Sequence, residues 1–207
     1  MKKRTTIVLS SIVFFIFFIV LTYFVREDYL NQFDFNTTVR LQNHIPKKVD
    51  AVFSSLSLIG SFERLAGLLF IIFILRKKLI SLLIFIPFII AHLVEVVGKF
   101  FLHHPGPPHL FFRYNLGFLF PSSYVQPGSS YPSGHALRIV FVSVIFFYLV
   151  IRLKINNHIK IFINLFLILF NIAMLISRIS LGEHWTTDVI GGALLGLSSG
   201  IFAFIFL

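Results

Sequence analysis

Ser177-Arg178-Ile179-Ser180-Leu181-Gly182-Glu183-His184-Trp185-Thr186-Thr187-Asp188 is a polar island between two apolar runs, 161–177 and 185–206. Charged and imidazole side chains are costly near lipid, so such a cluster at the ends of apolar segments serves a site. Two more islands have the same character. One is Tyr131-Pro132-Ser133-Gly134-His135, and the other is Lys99 with the proline-rich stretch behind it. Each stands at the end of a run near the length of about 20 residues that a bilayer-crossing helix needs.

Working outward, the apolar runs predict six transmembrane helices, at about 5–25, 54–75, 79–102, 133–151, 161–177 and 185–206. The fold class is all-α, a single polytopic membrane domain over 1–207. With 57% hydrophobic and 13% charged residues, a soluble domain would have too little polar surface to stay dispersed. The run Thr5 to Phe24 ends without a small-x-small cleavage site and reads as a retained anchor. Segment 26–53 carries mixed charge and reads either as an interfacial, partly helical stretch or as a covering loop. Segment 103–132 contains Pro105, Pro107, Pro108, Pro121, Pro127 and Pro132, so it is an extracytoplasmic loop of the size used for lids and gates.

The net charge of +10 is distributed in clusters at Lys2-Lys3-Arg4, Arg76-Lys77-Lys78 and Arg152, Lys154 and Lys160. Each falls in a gap between apolar runs, where the positive-inside bias places it in the cytoplasm. Six crossings then put both termini inside and all three polar islands on the opposite face of the plasma membrane. No basic stripe is interleaved with aromatics in a soluble module, so nucleic acid is not a partner. With no cysteine there is no disulfide framework and no thiol nucleophile. His103, His104 and His109 lack a carboxylate set at ligand spacing and read as loop residues, with no metal and no cofactor. Gly192, Gly196 and Gly200 share one helical face and predict close helix packing.

The islands supply cations, two imidazoles and a carboxylate, an inventory suited to phosphoryl chemistry. His184 and Asp188 share a helical face, so the carboxylate can orient one ring nitrogen and leave the other free as nucleophile or base. The plainer alternative is an aspartate that caps the helix beside an incidental histidine. Arg178 offers a planar fork for two phosphate oxygens. Ser133-Gly134 at a helix start offers N–H groups to an anion, with His135 at its edge to protonate a leaving oxygen. Lys99 follows Glu95 by four residues, the favourable order on a helix, and His92 lies on the same stripe. These residues by themselves do not decide whether His184 or His135 is the nucleophile.

In this arrangement the chain resembles the membrane branch of the phosphatidic-acid phosphatase type 2 superfamily, which includes lipid phosphate and polyprenyl diphosphate phosphatases. Its second block, Pro-Ser-Gly-His, is complete at Pro132 to His135. Its third, Ser-Arg, five residues, His, three residues, Asp, is complete at Ser177-Arg178, His184 and Asp188. In its first block Lys99 is present and Pro107 is in register, but Gly106 stands where the family has arginine. A missing charge-assisted contact is worth about 2 kcal/mol. Arg138, one turn beyond His135, is the candidate replacement, with Arg113 a second.

The resemblance implies metal-independent dephosphorylation of a lipid phosphate, either a polyprenyl diphosphate or a phospholipid phosphate. His184 is then the nucleophile oriented by Asp188, and His135 the acid. Lys99, Ser133, Gly134 and Arg178 bind phosphate. A phosphotransferase to an acceptor alcohol uses the same intermediate, and a non-catalytic lipid-phosphate binder is the reading that Gly106 invites. A transporter is disfavoured, because the polar groups gather at one face instead of along a midplane path.

Overall fold

The computed structural model describes residues 2–76, 79–118 and 128–207. Among them there is helix and no strand. The elements are α1 (Lys2–Arg26), α2 (Asn31–His44), α3 (Asp50–Ile59), α4 (Phe62–Arg76), α5 (Phe85–Phe101), α6 (Gly134–Arg152), α7 (Asn157–Ser180) and α8 (Thr186–Phe202). Helices Arg4–Arg26, Ile80–Phe101, Gly134–Arg152, Asn157–Ser180 and Thr186–Phe206 are each long and apolar enough to span a membrane.

The expected span over 54–75 is not one straight helix. It is a bent pair, Lys47–Ile59 and Phe62–Leu75, meeting at 52° across Gly60 and Ser61. The physical reason is local and tertiary together. Gly60 closes α3 with its N–H bonded to Leu56 and Ser57 carbonyls, and its own carbonyl accepts from Arg138 Nε at 3.3 Å. A Cβ on Gly60 would stand 3.0 Å from the His135 ring, so the bend lies at the level of the polar islands. Segment 26–53 contains the helix α2 and a short 3₁₀ turn at Lys47–Val49.

α6 and α8 form the centre. The glycine stripe of α8 is their contact: a Cβ on Gly192 would meet the Ser133 carbonyl, and one on Gly196 the Leu137 carbonyl. Small residues are what allow helix backbones to approach this closely. α1 packs antiparallel on α8, with Ser198 Oγ donating to the Ser11 carbonyl at 2.9 Å and Thr22 Oγ1 2.9 Å from the Tyr131 hydroxyl. α7 turns Phe162, Phe166 and Leu169 outward, as a lipid-facing helix does.

The C-terminal end of α5 and the N-terminal ends of α6 and α8 converge at one end of the bundle. Arg152 and Lys154 stand at the opposite end of α6. The described parts of the connection between α5 and α6, 103–118 and 128–132, pack at the convergence. Arg113 pairs with Asp50 at 2.8 Å, Trp185 Nε1 donates to the Pro105 carbonyl at 2.8 Å, and Gln42 Nε2 donates to the Phe111 carbonyl at 2.7 Å. Pro121 and Pro127, with the central part of the expected lid, lie outside the described residues.

Candidate active site

The turn between α7 and α8 delivers the first group. α7 ends because Gly182 takes a left-handed conformation (φ 68°), its N–H bonding the Ile179 carbonyl at 3.0 Å. A side chain there would strike the Phe111 carbonyl. His184 follows, with its N–H directed to the Arg178 carbonyl at 3.3 Å. His184 Nδ1 lies 3.3 Å from Asp188 Oδ2. The same Oδ2 accepts the Trp185 N–H at 2.9 Å, so Asp188 caps α8 and faces His184 at once. Helix capping and imidazole orientation, alternatives in the sequence, are both present. With Nδ1 turned to the carboxylate, Nε2 is left for chemistry. Burial, reinforced by the Arg178 and Lys99 cations, holds the His184 imidazole well below its usual pKa. It is neutral at neutral pH and keeps its lone pair.

Three cations lie within electrostatic range of this ring. Arg178 Nη1 pairs with Glu183 and with Ser57 Oγ, while Arg178 Nε is buried and has no hydrogen-bond partner. An orphaned guanidinium N–H in a buried site is a donor waiting for an oxygen. Burial pushes the Glu183 carboxyl up, and its bonds to Arg178 and Ser57 only partly pull it back. Lys99 Nζ donates to Glu95 Oε1 at 2.7 Å, and His92 Nε2 is 3.9 Å from Glu95 Oε2. Arg138 reaches the same carboxylate, with Nη1 4.0 Å from Oε2, and its Nη2 lies 3.3 Å from His135 Nδ1. Lys99, Arg138 and Arg178 all act electrostatically on both His135 and His184.

The turn at Ser133-Gly134 departs from an open anion cradle. Ser133 caps α6, its Oγ accepting the Ala136 N–H at 3.5 Å and its own N–H donating to the Asp188 carbonyl at 2.9 Å. That last bond ties the α6 start to the α8 start. A Cβ on Gly134 would collide with the Glu95 carboxylate. An internal carboxylate therefore occupies the space beside the α6 N-terminus where an anion is favoured. His184, Asp188, His135, Lys99, Arg178 and Arg138 are thus brought together, with Glu95 and Glu183 neutralising the cations.

Arg113 does not belong to this group. It is held by Asp50, by the Gln42 carbonyl at 3.2 Å and by the Ile45 carbonyl at 3.2 Å, and so cannot stand in for the arginine missing at Gly106. His104 is not a free loop residue either. It is 4% exposed, with Nε2 3.4 Å from Asp188 Oδ1 and 3.8 Å from Asp34 Oδ2. Sequence reasoning assigns no role to Ser57, Glu183 or Asp34 and reads His104 as a loop residue. For Glu183 its adjacency to His184 was a usable signal, whereas Asp34 meets α8 only through the tertiary fold. Among the described residues no group of three His, Cys, Asp or Glu side chains converges as a metal cage.

No curated protein matches the chain. Two solved structures share its fold. A transmembrane PAP2-type phosphatidylglycerolphosphate phosphatase from Bacillus subtilis aligns with TM-score 0.75 and 23% identity, over 95% of this chain and 93% of that one. Aquifex aeolicus LpxE aligns with TM-score 0.62 and 24% identity, over 84% of this chain and 95% of that one. A family model described as the PAP2 superfamily matches residues 77–207, more than half the chain and all three polar islands. The chain is a multi-pass membrane protein with the fold of the PAP2 membrane phosphatases, and it belongs to the PAP2 superfamily.

Proposed function

We propose that the protein hydrolyses a phosphomonoester or diphosphate on a membrane lipid through a phosphohistidine, without a metal. The observation that carries this reading is the His184–Asp188 pair, 3.3 Å apart and under the electrostatic influence of Lys99, Arg138 and Arg178. Nε2 of neutral His184 attacks phosphorus, and the bond from phosphorus to the lipid oxygen breaks. His135 gives that oxygen its proton. Water then attacks the phosphohistidine, His135 takes the water's proton, and inorganic phosphate leaves with His184 regenerated. The three cations, the Arg178 Nε donor above all, neutralise charge on the equatorial oxygens, where such catalysis gains most. Arg138 serves in place of the arginine absent at Gly106.

Substrate phosphate takes over from Glu95 and Glu183 as partner of these cations. The lipid tail stays in the bilayer while the headgroup enters from the side. The positive-inside pattern supports cytoplasmic termini and a site facing outward from the plasma membrane. A polyprenyl diphosphate and a phospholipid phosphate both fit, the latter being the class named for the Bacillus subtilis structure.

The test is phosphate release from a panel of lipid phosphates and diphosphates, with and without EDTA, by wild type and His184→Ala. Release by wild type alone, insensitive to EDTA, is the expected result. Activity retained in the variant removes His184 as nucleophile, and strict loss with EDTA removes the metal-independent mechanism. A new phosphoester in place of free phosphate would make the enzyme a transferase.

A further inference from the structure

Asp188 has two carboxylate oxygens, and the mechanism above uses only Oδ2. Oδ1 is buried and faces His104 Nε2 at 3.4 Å, while the Ser130 side chain also hydrogen-bonds the Asp188 carboxylate. A buried polar pair of this kind satisfies itself or costs stability. His104 is fixed from behind. Its carbonyl accepts the Ser130 N–H at 2.9 Å and the Ser129 and Ser130 hydroxyls at 3.3 and 3.1 Å, and its ring meets the Tyr131 ring edge-on at 6.2 Å. Asp34 of α2 flanks the same nitrogen, with Oδ2 3.8 Å from Nε2.

Asp34 is in turn locked to α8. Its oxygens accept the Thr187 N–H at 2.8 Å and the Thr187 hydroxyl at 2.6 Å, one residue before Asp188. Asp34 and Asp188 thus share His104 Nε2, and Asp188 turns its other oxygen to His184. These residues draw on α2, the loop after α5, the start of α8 and the turn before it.

We propose that His104 is a positioning residue for the His184–Asp188 pair. With Asp34 flanking the same His104 nitrogen, it holds Asp188 so that Oδ2 faces His184 Nδ1 and the His184 Nε2 stays free. This rests on the phosphatase reading for its consequence in turnover, but not for its consequence on His184 itself. His104 also lines a cavity of about 470 Å³ together with Asp34, His103, Gly106 and Trp185. Truncation of the imidazole therefore leaves a space that a free imidazole can reach from outside.

The experiment uses the full chain in lipid nanodiscs and compares His104→Ala, His104→Gln, Asp188→Asn and His103→Ala, whose side chain is exposed. Two readouts are taken. The first is kcat and KM for phosphate release from a lipid phosphate. His104→Ala is expected to lose at least about tenfold in kcat with KM little changed, below the 10²–10⁴ range typical of an acid–base group itself. His104→Gln, which keeps a donor for Oδ1, recovers part of the loss, added imidazole restores His104→Ala, and His103→Ala stays at the wild-type value.

The second readout is the rate at which diethyl pyrocarbonate modifies His184, followed by mass spectrometry and independent of any substrate. It is expected to slow in His104→Ala and Asp188→Asn alike. Wild-type kcat and wild-type His184 reactivity in His104→Ala would overturn the proposal. So would a loss that neither imidazole nor glutamine relieves and that tracks only a lowered melting temperature. Should wild type release no phosphate from any lipid, the phosphatase reading fails, and the His184 modification rate alone decides the role of His104.

Discussion

Arg138→Ala removes the guanidinium that the account places in the position left open at Gly106. Arg138 Nη1 is 4.0 Å from Glu95 Oε2, and its Nε donates to the Gly60 carbonyl at 3.3 Å. Two unit charges at that separation interact by about 4 kcal/mol at an effective dielectric of about 20, an upper bound here because Lys99 shares the carboxylate. A phosphate oxygen replacing Glu95 meets Arg138 at similar range, and a charge-assisted contact is worth about 2 kcal/mol net. That corresponds to about 30-fold in kcat/KM. The assay is phosphate release across substrate concentration, with orthovanadate inhibition as a second measure that should weaken by a similar factor. Loss of the donor to Gly60 also loosens the bend between α3 and α4, at about 1–3 kcal/mol of stability. Arg138→Lys separates the two effects, because it keeps the charge but not the fork. Lysine should recover much of the kcat/KM and little of the thermal stability. Wild-type kcat/KM in Arg138→Ala refutes the replacement.

Other consequences are as definite. Asp188→Asn keeps the shape of the α8 cap but not the carboxylate facing His184 Nδ1, and should cost at least about 100-fold in kcat at unchanged KM. Burial raises the Asp34 carboxyl from 3.8 to about 6. A carboxyl raised on folding is protonated in the native state while already ionised in the unfolded chain between those values. Stability should therefore fall as pH rises from about 4 to 6, by up to about 3 kcal/mol, and level off above. Thermal unfolding in detergent should show that slope in wild type and a flatter one in Asp34→Asn. Gly196→Leu drives a side chain into the Leu137 carbonyl and should lower the melting temperature and activity together. Gly67→Ala, with nothing within 4 Å, should raise stability by about 0.5–1 kcal/mol and leave activity alone.

What was legible in the sequence was whatever chemistry acts over short separations. Apolar runs of bilayer length define helices, and four-residue spacing puts Asp188 beside His184 and Glu95 beside Lys99. The glycine spacing in α8 gave its contact face for the same reason. The bend at Gly60 and Ser61 was hidden inside an apolar run, because what holds it is Arg138, 78 residues away. The sequence marks His104 only as a loop residue, since nothing nearby in sequence satisfies it. Its partners, Asp34 and Asp188, meet it only after α2 folds over the start of α8. The Glu183 carboxylate on Arg178 is a similar case, for the turn at Gly182 is what reverses the chain and brings the two charges into contact. Arg113 carries no mark in the sequence to separate it from a phosphate ligand, because its partner Asp50 is 63 residues away.

The central claim is that His184 carries the phosphoryl group. Rapid acid-free quenching of wild type during turnover of a lipid phosphate, followed by peptide mass spectrometry, tests it most directly. The account predicts a phosphoryl adduct on His184 in wild type, absent from His184→Ala. An adduct on His135, or full turnover with no adduct on either imidazole, would contradict it.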